Sequence, residues 1–335
     1  MFSSFRQWTA NATTKVLNQG SVARLPRHTI QYSFDVSTKF PIPYYLPSTS
    51  SKIDTTLPIL LIVHGSPGGF DSARWHASGL STFAPHHLKQ KPFGIITFAR
   101  PGYLNSQPPC PTFDEEASVI NDFLNHIGVG DKSKVAVMAV SGSGPVALTL
   151  RKDYPSRVSG LLMFDTITKR IPFGAKGKGM AALLGGTNAI SNPLSWMINQ
   201  QWHPEVLYKL KMMGSDAADE IKADPIVEKM FRDYLLCYTL GSHRRQGMLS
   251  DLTLIEKLDV EPDWGQIDVP LLCMHGEKDD SVTMEHAEHI MRCAEKSGKA
   301  VRQLHAFPDG MHILPLKRTS ELAVQFLWDH VFPKH

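Results

Sequence analysis

Five apolar runs, each closed by a turn of small or polar residues, constrain this chain more than any other feature. They are LPILLIV (57–63) before HGSPGG, FGIITFA (93–99) before RPGY, KVAVMAV (134–140) before SGSG, SGLLMF (159–164) before Asp165, and PLLCMH (270–275) before GEKDD. A strand that is apolar on both faces has to be covered on both, which is the situation of a parallel sheet flanked by helices. Helical patterns lie between the runs: TFDEEASVINDFLNHIG (112–128), where Thr112 and Glu115 form a capping box, GPVALTLRKD (144–153), MEHAEHIMRCAEK (284–296) and SELAVQFLWDHVF (320–332). Strand and helix alternate, so the expected class is α/β with a mostly parallel central sheet between helices. HTIQYSF (28–34) and the proline-weakened FPIPYYL (40–46) are expected to open the sheet as a pair of strands.

The alternation stops between residues 168 and 262. MAALLGG (180–186), NPLSWMINQQW (192–202), PEVLYKLKMMG (204–214) and PIVEKMFRDYLLCYTL (225–240) read there as helices with no strong strand among them. A helical cap inserted between two strands accounts for this economically and would form a lid over the strand ends. The expected plan is an N-terminal arm or helix over 1–27, a core made of 28–167 and 263–335, and a cap over 168–262.

With 335 residues, 42% apolar and 20% charged, the chain can bury a large core. Its net charge of +3 comes from scattered bases, which argues against a nucleic-acid partner. Cys110, Cys237, Cys273 and Cys293 lack zinc or disulfide spacing and fit reduced thiols inside a cell. No run is long enough to cross a bilayer, and the start lacks the apolar core of a secretory signal. A soluble cytoplasmic protein is therefore expected. Residues 1–34 carry Arg6, Lys15, Arg24 and Arg27 without an acid, which makes a mitochondrial transit peptide the alternative. The glycine rhythm of AKGKGMA (175–181) follows no strand, and the adjacent His86 and His87 diverge on a helix. No cofactor and no metal are expected, and the expected partner is a small-molecule substrate. The pattern does not specify an oligomeric state.

In an open parallel sheet, ligands bind beyond the C-terminal ends of the strands, which is where all five turns fall. A serine exposed on a sharp turn from strand to helix needs small neighbours. Ser141 has Ala139 two residues before it and Ser143 two after, with Gly144 next. Ser143 has Pro145 two residues on, whose ring crowds the turn. Ser141 is therefore the candidate nucleophile and Ser143 a helix-start residue.

The stretch AVSGSGPVAL (139–148) resembles the nucleophile elbow of α/β-hydrolases, GxSxG and its variant GxSGGGPxAL, with Ala139 and Ser143 replacing two glycines. The resemblance implies the chain order serine, acid, histidine. VRQLHAFPDGMHILPL (301–316) resembles the family's histidine loop and gives His312 as the base, leaving His305 as a structural residue within the strand. PLLCMHGEKDD resembles hGxxD and gives Asp279 as the acid. Asp165 is its rival, because some relatives hold the acid there, and Asp280 is a solvated neighbour. HGSP resembles the HGxP turn. Because Pro67 has no N–H, the oxyanion hole would use the amides of Ser66 and Gly142. His64 would fix that loop, and Arg100, in a turn resembling DRPGYG, would be scaffold.

The implied activity is that of a cofactor-free, carboxylesterase-like serine hydrolase, cleaving an ester of a small apolar substrate through an acyl-enzyme. HGSPGGF also resembles the HGGPGG loop of proline iminopeptidases and similar loops of carbon–carbon bond hydrolases, so those activities stand as alternatives. A non-catalytic ligand receptor on the same fold is the third. Dehalogenase and epoxide-hydrolase chemistry is disfavoured, since those relatives carry an aspartate at the elbow.

Overall fold

The computed structural model describes residues 44–45, 55–84, 92–130 except 105 and 107, 133–174, 212–236, 243–298 and 300–332. HTIQYSF, the 1–27 arm, AKGKGMA, His86, His87, Cys237 and the cap segments before Met212 lie outside them.

Among the described residues seven strands form one sheet: β1 (Tyr44–Tyr45), β2 (Ile59–Val63), β3 (Gly94–Phe98), β4 (Val135–Val140), β5 (Val158–Phe164), β6 (Leu271–Gly276) and β7 (Arg302–Phe307), in the order β1-β3-β2-β4-β5-β6-β7. β1, all that is described of the two expected opening strands, pairs antiparallel with β3, and the other neighbours are parallel. The two-faced apolar runs have their expected cover. Ile59, Leu61 and Val63 of β2 point into one core, against Phe113, Ala117 and Ile120 of α2 (Phe113–His126) and Val146 and Leu150 of α3 (Gly144–Asp153). Leu60 and Ile62 point into the opposite core, with Ala73, Ala77 and Leu80 of α1 (Phe70–Phe83). Each such side chain, once fully buried, stabilises the fold by about 1.5–3 kcal/mol.

The helix α2 starts where Thr112 predicts, its side chain accepting from the Glu115 amide at 3.1 Å. Between β5 and β6 stand α4 (Ser215–Ala223), α5 (Pro225–Leu236) and α6 (Arg245–Glu256). Met213, Ala217, Ile221, Val227 and Phe231 from this region form a third apolar cluster, which takes in Trp75 of α1 and Leu316. The remaining helices among the described residues are α7 (Glu285–Glu295) and α8 (Leu316–Phe326), the latter beginning four residues before the expected SELAVQF pattern and running into a π turn over Leu327–Val331. Among the described residues no helix is long and apolar enough to cross a membrane.

Candidate active site

The C-terminal edge of the sheet gathers the singled-out residues: Ser66 just past β2, Ser141 at the end of β4, Asp165 at the end of β5, Asp279 past β6 and His312 past β7. Ser141 opens a one-turn 3-10 helix that leads directly into α3, and its φ is 52°. That left-handed conformation is costly for a residue with a side chain, by about 1–3 kcal/mol. The Ser141 carbonyl accepts from the Ile167 amide at 2.9 Å, which fixes the bend. Close packing explains the small residues around it. A Cβ on Gly144 would stand 2.0 Å from the Ile167 oxygen, and one on Gly65 would stand 2.8 Å from the Ser141 Cβ. Ser143 is fully buried, its Oγ accepting from the Val140 amide at 2.8 Å and donating to the carbonyl of Val63. Its hydroxyl braces the turn and is unavailable as a nucleophile.

His312 Nε2 lies 2.9 Å from Ser141 Oγ, and its Nδ1 lies 2.7 Å from Asp279 Oδ2. A carboxylate only accepts, so in the neutral ring Nδ1 carries the proton and Nε2 is free to accept from the Ser141 hydroxyl. The other oxygen of Asp279 accepts from the amides of Ser281 at 2.9 Å and Val282 at 3.0 Å. Burial alone would push the imidazole of His312 down; the hydrogen bond to Asp279 and its charge, with Asp165 behind, outweigh burial and raise it to about 9. Burial works against the charge of Asp279 as well, but His312 and the two amides hold its carboxyl below the ordinary range.

Asp165 is placed differently from its rival. It has φ 44°, its Oδ1 accepts from the Gly276 amide at 2.9 Å, and it lies 3.9 Å from His275 Nδ1. Burial, aided by the nearby charge of Asp279, pushes its carboxyl well up. Of the two acids, Asp279 makes the hydrogen bond to His312. Asp280 is exposed and His305 is half-buried in β7. Asp165, His275 and Asp279 offer ligand atoms within 4.8 Å of one another, the one such grouping among the described residues. Both Asp279 oxygens already have partners, and His275 Nε2 donates to the Val282 carbonyl at 2.7 Å. The cluster is packed support for His312 and offers poor ligands to a cation.

A Cβ on Gly142 would stand 3.5 Å from the Ser66 nitrogen, so Gly142 and the Ser66 amide are close neighbours.

A family model described as the prolyl oligopeptidase family matches residues 245–332, about a quarter of the chain, a stretch that includes Asp279 and His312. No curated protein matches the sequence. Among solved structures, an α/β-hydrolase fold protein from Nakamurella multipartita is 23% identical, with a TM-score of 0.62 over 81% of this chain and 92% of that one. An esterase from Exiguobacterium antarcticum is 19% identical (TM-score 0.55; 90% and 99% covered). A thermophilic esterase from Thermogutta terrifontis is 16% identical (TM-score 0.55; 91% and 99% covered). The chain has the α/β-hydrolase fold.

On this α/β-hydrolase framework the loop after β2 is gripped by buried polar groups. His64 donates from Nδ1 to the Gly65 carbonyl at 2.8 Å and accepts at Nε2 from the Arg100 amide at 3.0 Å. Burial, with Arg100 beside it, pushes His64 well below the usual histidine range, so it is a neutral brace. Arg100 is scaffold of a charged kind, reaching Glu116 at 2.6 Å and both oxygens of Asp251 at 2.8 and 2.9 Å, all buried. Tyr103 joins them, its hydroxyl 2.6 Å from Asp251 and 2.9 Å from Ser66 Oγ. Sequence reading missed Tyr103, Glu116 and Asp251 as parts of this site. Asp251 lies 151 positions from Arg100, and no local pattern carries such a pairing.

Proposed function

We propose that the chain is a serine hydrolase that cleaves a carboxylic ester of a small apolar substrate. The observation that carries this is the unbroken hydrogen-bonded line from Ser141 through His312 to Asp279. A serine hydroxyl is a weak nucleophile until a base takes its proton. In this reading His312 Nε2 takes that proton as Ser141 Oγ attacks the carbonyl carbon. Asp279 keeps the imidazole in the needed tautomer and stabilises the imidazolium, and the amides of Ser66 and Gly142 receive the developing oxyanion. His312 then gives the proton to the leaving alcohol. The acyl group stays on Ser141 until a water, deprotonated by the same imidazole, releases the acid. The segment between β5 and β6 serves as cap over this site, and Asp165 stands beside Asp279 and His312, bonded to the Gly276 amide.

A fluorophosphonate probe should label Ser141 in folded protein, and Ser141→Ala should lose at least about 10⁴-fold in kcat on p-nitrophenyl butyrate. Activity surviving in Ser141→Ala would end this reading. A second reading, action on prolyl peptides, is favoured by the prolyl oligopeptidase family match together with HGSPGG. An aminoacyl-proline arylamide cleaved with higher kcat/KM than the ester would move the assignment there. Failure to label Ser141 at all would favour a ligand receptor.

A further inference from the structure

The β2 ladder to β4 ends at Val63, paired with Ala139, so Ser66 lies beyond the backbone bonds of the sheet. It sits in the turn HGSPGG, which the Gly68 amide closes by donating to the Gly65 carbonyl at 2.8 Å. Among the described residues Ser66 makes one side-chain hydrogen bond, to the Tyr103 hydroxyl at 2.9 Å. The direction of that bond follows from the next one. Asp251 faces the Arg100 guanidinium with both oxygens, and Tyr103 lies 2.6 Å from one of them. A carboxylate accepts and cannot donate, so the single Tyr103 proton goes to Asp251 and the Ser66 hydroxyl donates to the Tyr103 oxygen.

Tyr103 itself has no freedom. It is fully buried, its ring stands edge-on to His64 with centroids 4.7 Å apart, and a Cβ on Gly247 would meet that ring at 2.2 Å. The chain from Glu116 and Arg100 through Asp251 and Tyr103 therefore ends on Ser66 as a fixed post. Donors to an oxyanion act only if they are already in place when charge develops.

We propose that Tyr103 is a positioning residue for the oxyanion site, anchoring the Ser66 side chain so that the Ser66 amide, paired with that of Gly142, stays directed at the carbonyl oxygen of a substrate on Ser141. This rests on the serine-hydrolase reading above. Tyr103 touches neither the substrate nor the reacting atoms, and its effect passes through one hydroxyl.

The test is a double-mutant cycle on p-nitrophenyl butyrate, with functional sites counted by fluorophosphonate titration. Tyr103→Phe and Ser66→Ala, the latter keeping the amide, should each lower kcat by about 10- to 100-fold while KM stays within about twofold. The double variant should be no worse than the poorer single, because both remove the same bond. A purely structural loss would lower the number of titrated sites and leave kcat per site unchanged. The proposal is overturned if kcat per site in both singles stays within about twofold of the parent, or if their losses multiply. Should Tyr103→Phe fail to fold, Ser66→Ala decides by its own kcat, since an undiminished value overturns the proposal. Ser141→Ala, run alongside, separates the two layers: an inactive Ser141→Ala with unaffected Tyr103→Phe and Ser66→Ala sinks the positioning role alone, whereas an active Ser141→Ala sinks the hydrolase reading beneath it.

Discussion

Ser141 and Ser66 stand on backbone gripped from below, whereas His312 stands on a loop held from the side. Beneath the first pair lie the ends of β2 and β4 and the fully buried Arg100, bonded to Glu116 and Asp251. The histidine loop leaves β7 at Phe307 and is tied to the β6 turn by two backbone bonds, Glu277 to Phe307 at 3.0 Å and Lys278 to Gly310 at 3.0 Å. Its outer flank rests on the chain between β5 and β6. The Ile313 amide donates to Met212 at 3.0 Å, Gly214 lies so close to Asp309 that a Cβ would be 2.0 Å from its oxygen, and Glu220 accepts from the Lys317 amide at 2.9 Å. The half that would hold charge is gripped by buried ion pairs, with Asp251 of α6 among them. The half that would move the proton is held by backbone bonds and, at its flank, by α4 and the residues just before it.

This difference predicts opposite penalties. His312→Ala should cost about 10⁴-fold or more in kcat on an ester, with a smaller loss of stability than at Arg100, because the side chain is a quarter exposed and leaves a single buried carboxylate behind. Arg100→Met should instead cost about 3–5 kcal/mol of stability, since it leaves two carboxylates buried without their cation. Chemical denaturation beside steady-state kinetics on both variants checks this. An Arg100→Met protein of parental stability would show that the two halves are not held differently.

The next largest effect is in pH. Asp279 raises His312 to about 9 against the pull of burial. A protonated imidazole cannot take the Ser141 proton, so kcat/KM should climb about tenfold per pH unit below that value and level off above it. Asp279→Asn removes the hydrogen bond and most of the charge that raise the pKa, leaving burial opposed by Asp165 alone, so its residual activity should titrate well below the parent's. A parent profile that levels off no higher in pH than that of Asp279→Asn would mean that Asp279 does not hold His312 in solution.

How far the sequence could be read follows the same division. Five of the six parallel strands were legible because being apolar on both faces leaves few other fates for LPILLIV or KVAVMAV, whereas β7, RQLHAF, is polar at Arg302, Gln303 and His305. Helix α1 carried no such signal. FDSARWHASGLSTF is mostly small and polar because α8 lies against it, and a Cβ on Gly79 would meet Leu316 at 2.5 Å. Ser141, Asp279 and His312 were nameable because each follows a strand in a short motif, and the structure brings all three into contact. The support of each half was not nameable. Asp251 reaches Arg100, and Glu220 reaches Lys317, across 151 and 97 positions of chain. Pairings of that kind are made by tertiary packing alone.

The smallest effect is also the one that tests the weaker half directly. Glu220, on α4, accepts from the first turn of α8, the helix that begins four residues after His312. An acceptor at a helix N-terminus is worth about 0.5–2 kcal/mol, so Glu220→Ala should lower stability by that order. It should also reduce kcat a few-fold, because the loop between Phe307 and Leu316 loses one of its lateral ties. Burial pushes the Glu220 carboxyl up while the amides of Leu316, Lys317 and Arg318 pull it down, so burial offsets much of what its charge contributes there. Glu220→Gln keeps the accepting oxygen without the charge and should recover most of both losses, as thermal melts and kcat measured on the two variants will tell. If Glu220→Ala matches the parent in both, the histidine loop stands without this tie, and the contrast between the halves rests on Met212 and Gly214 alone.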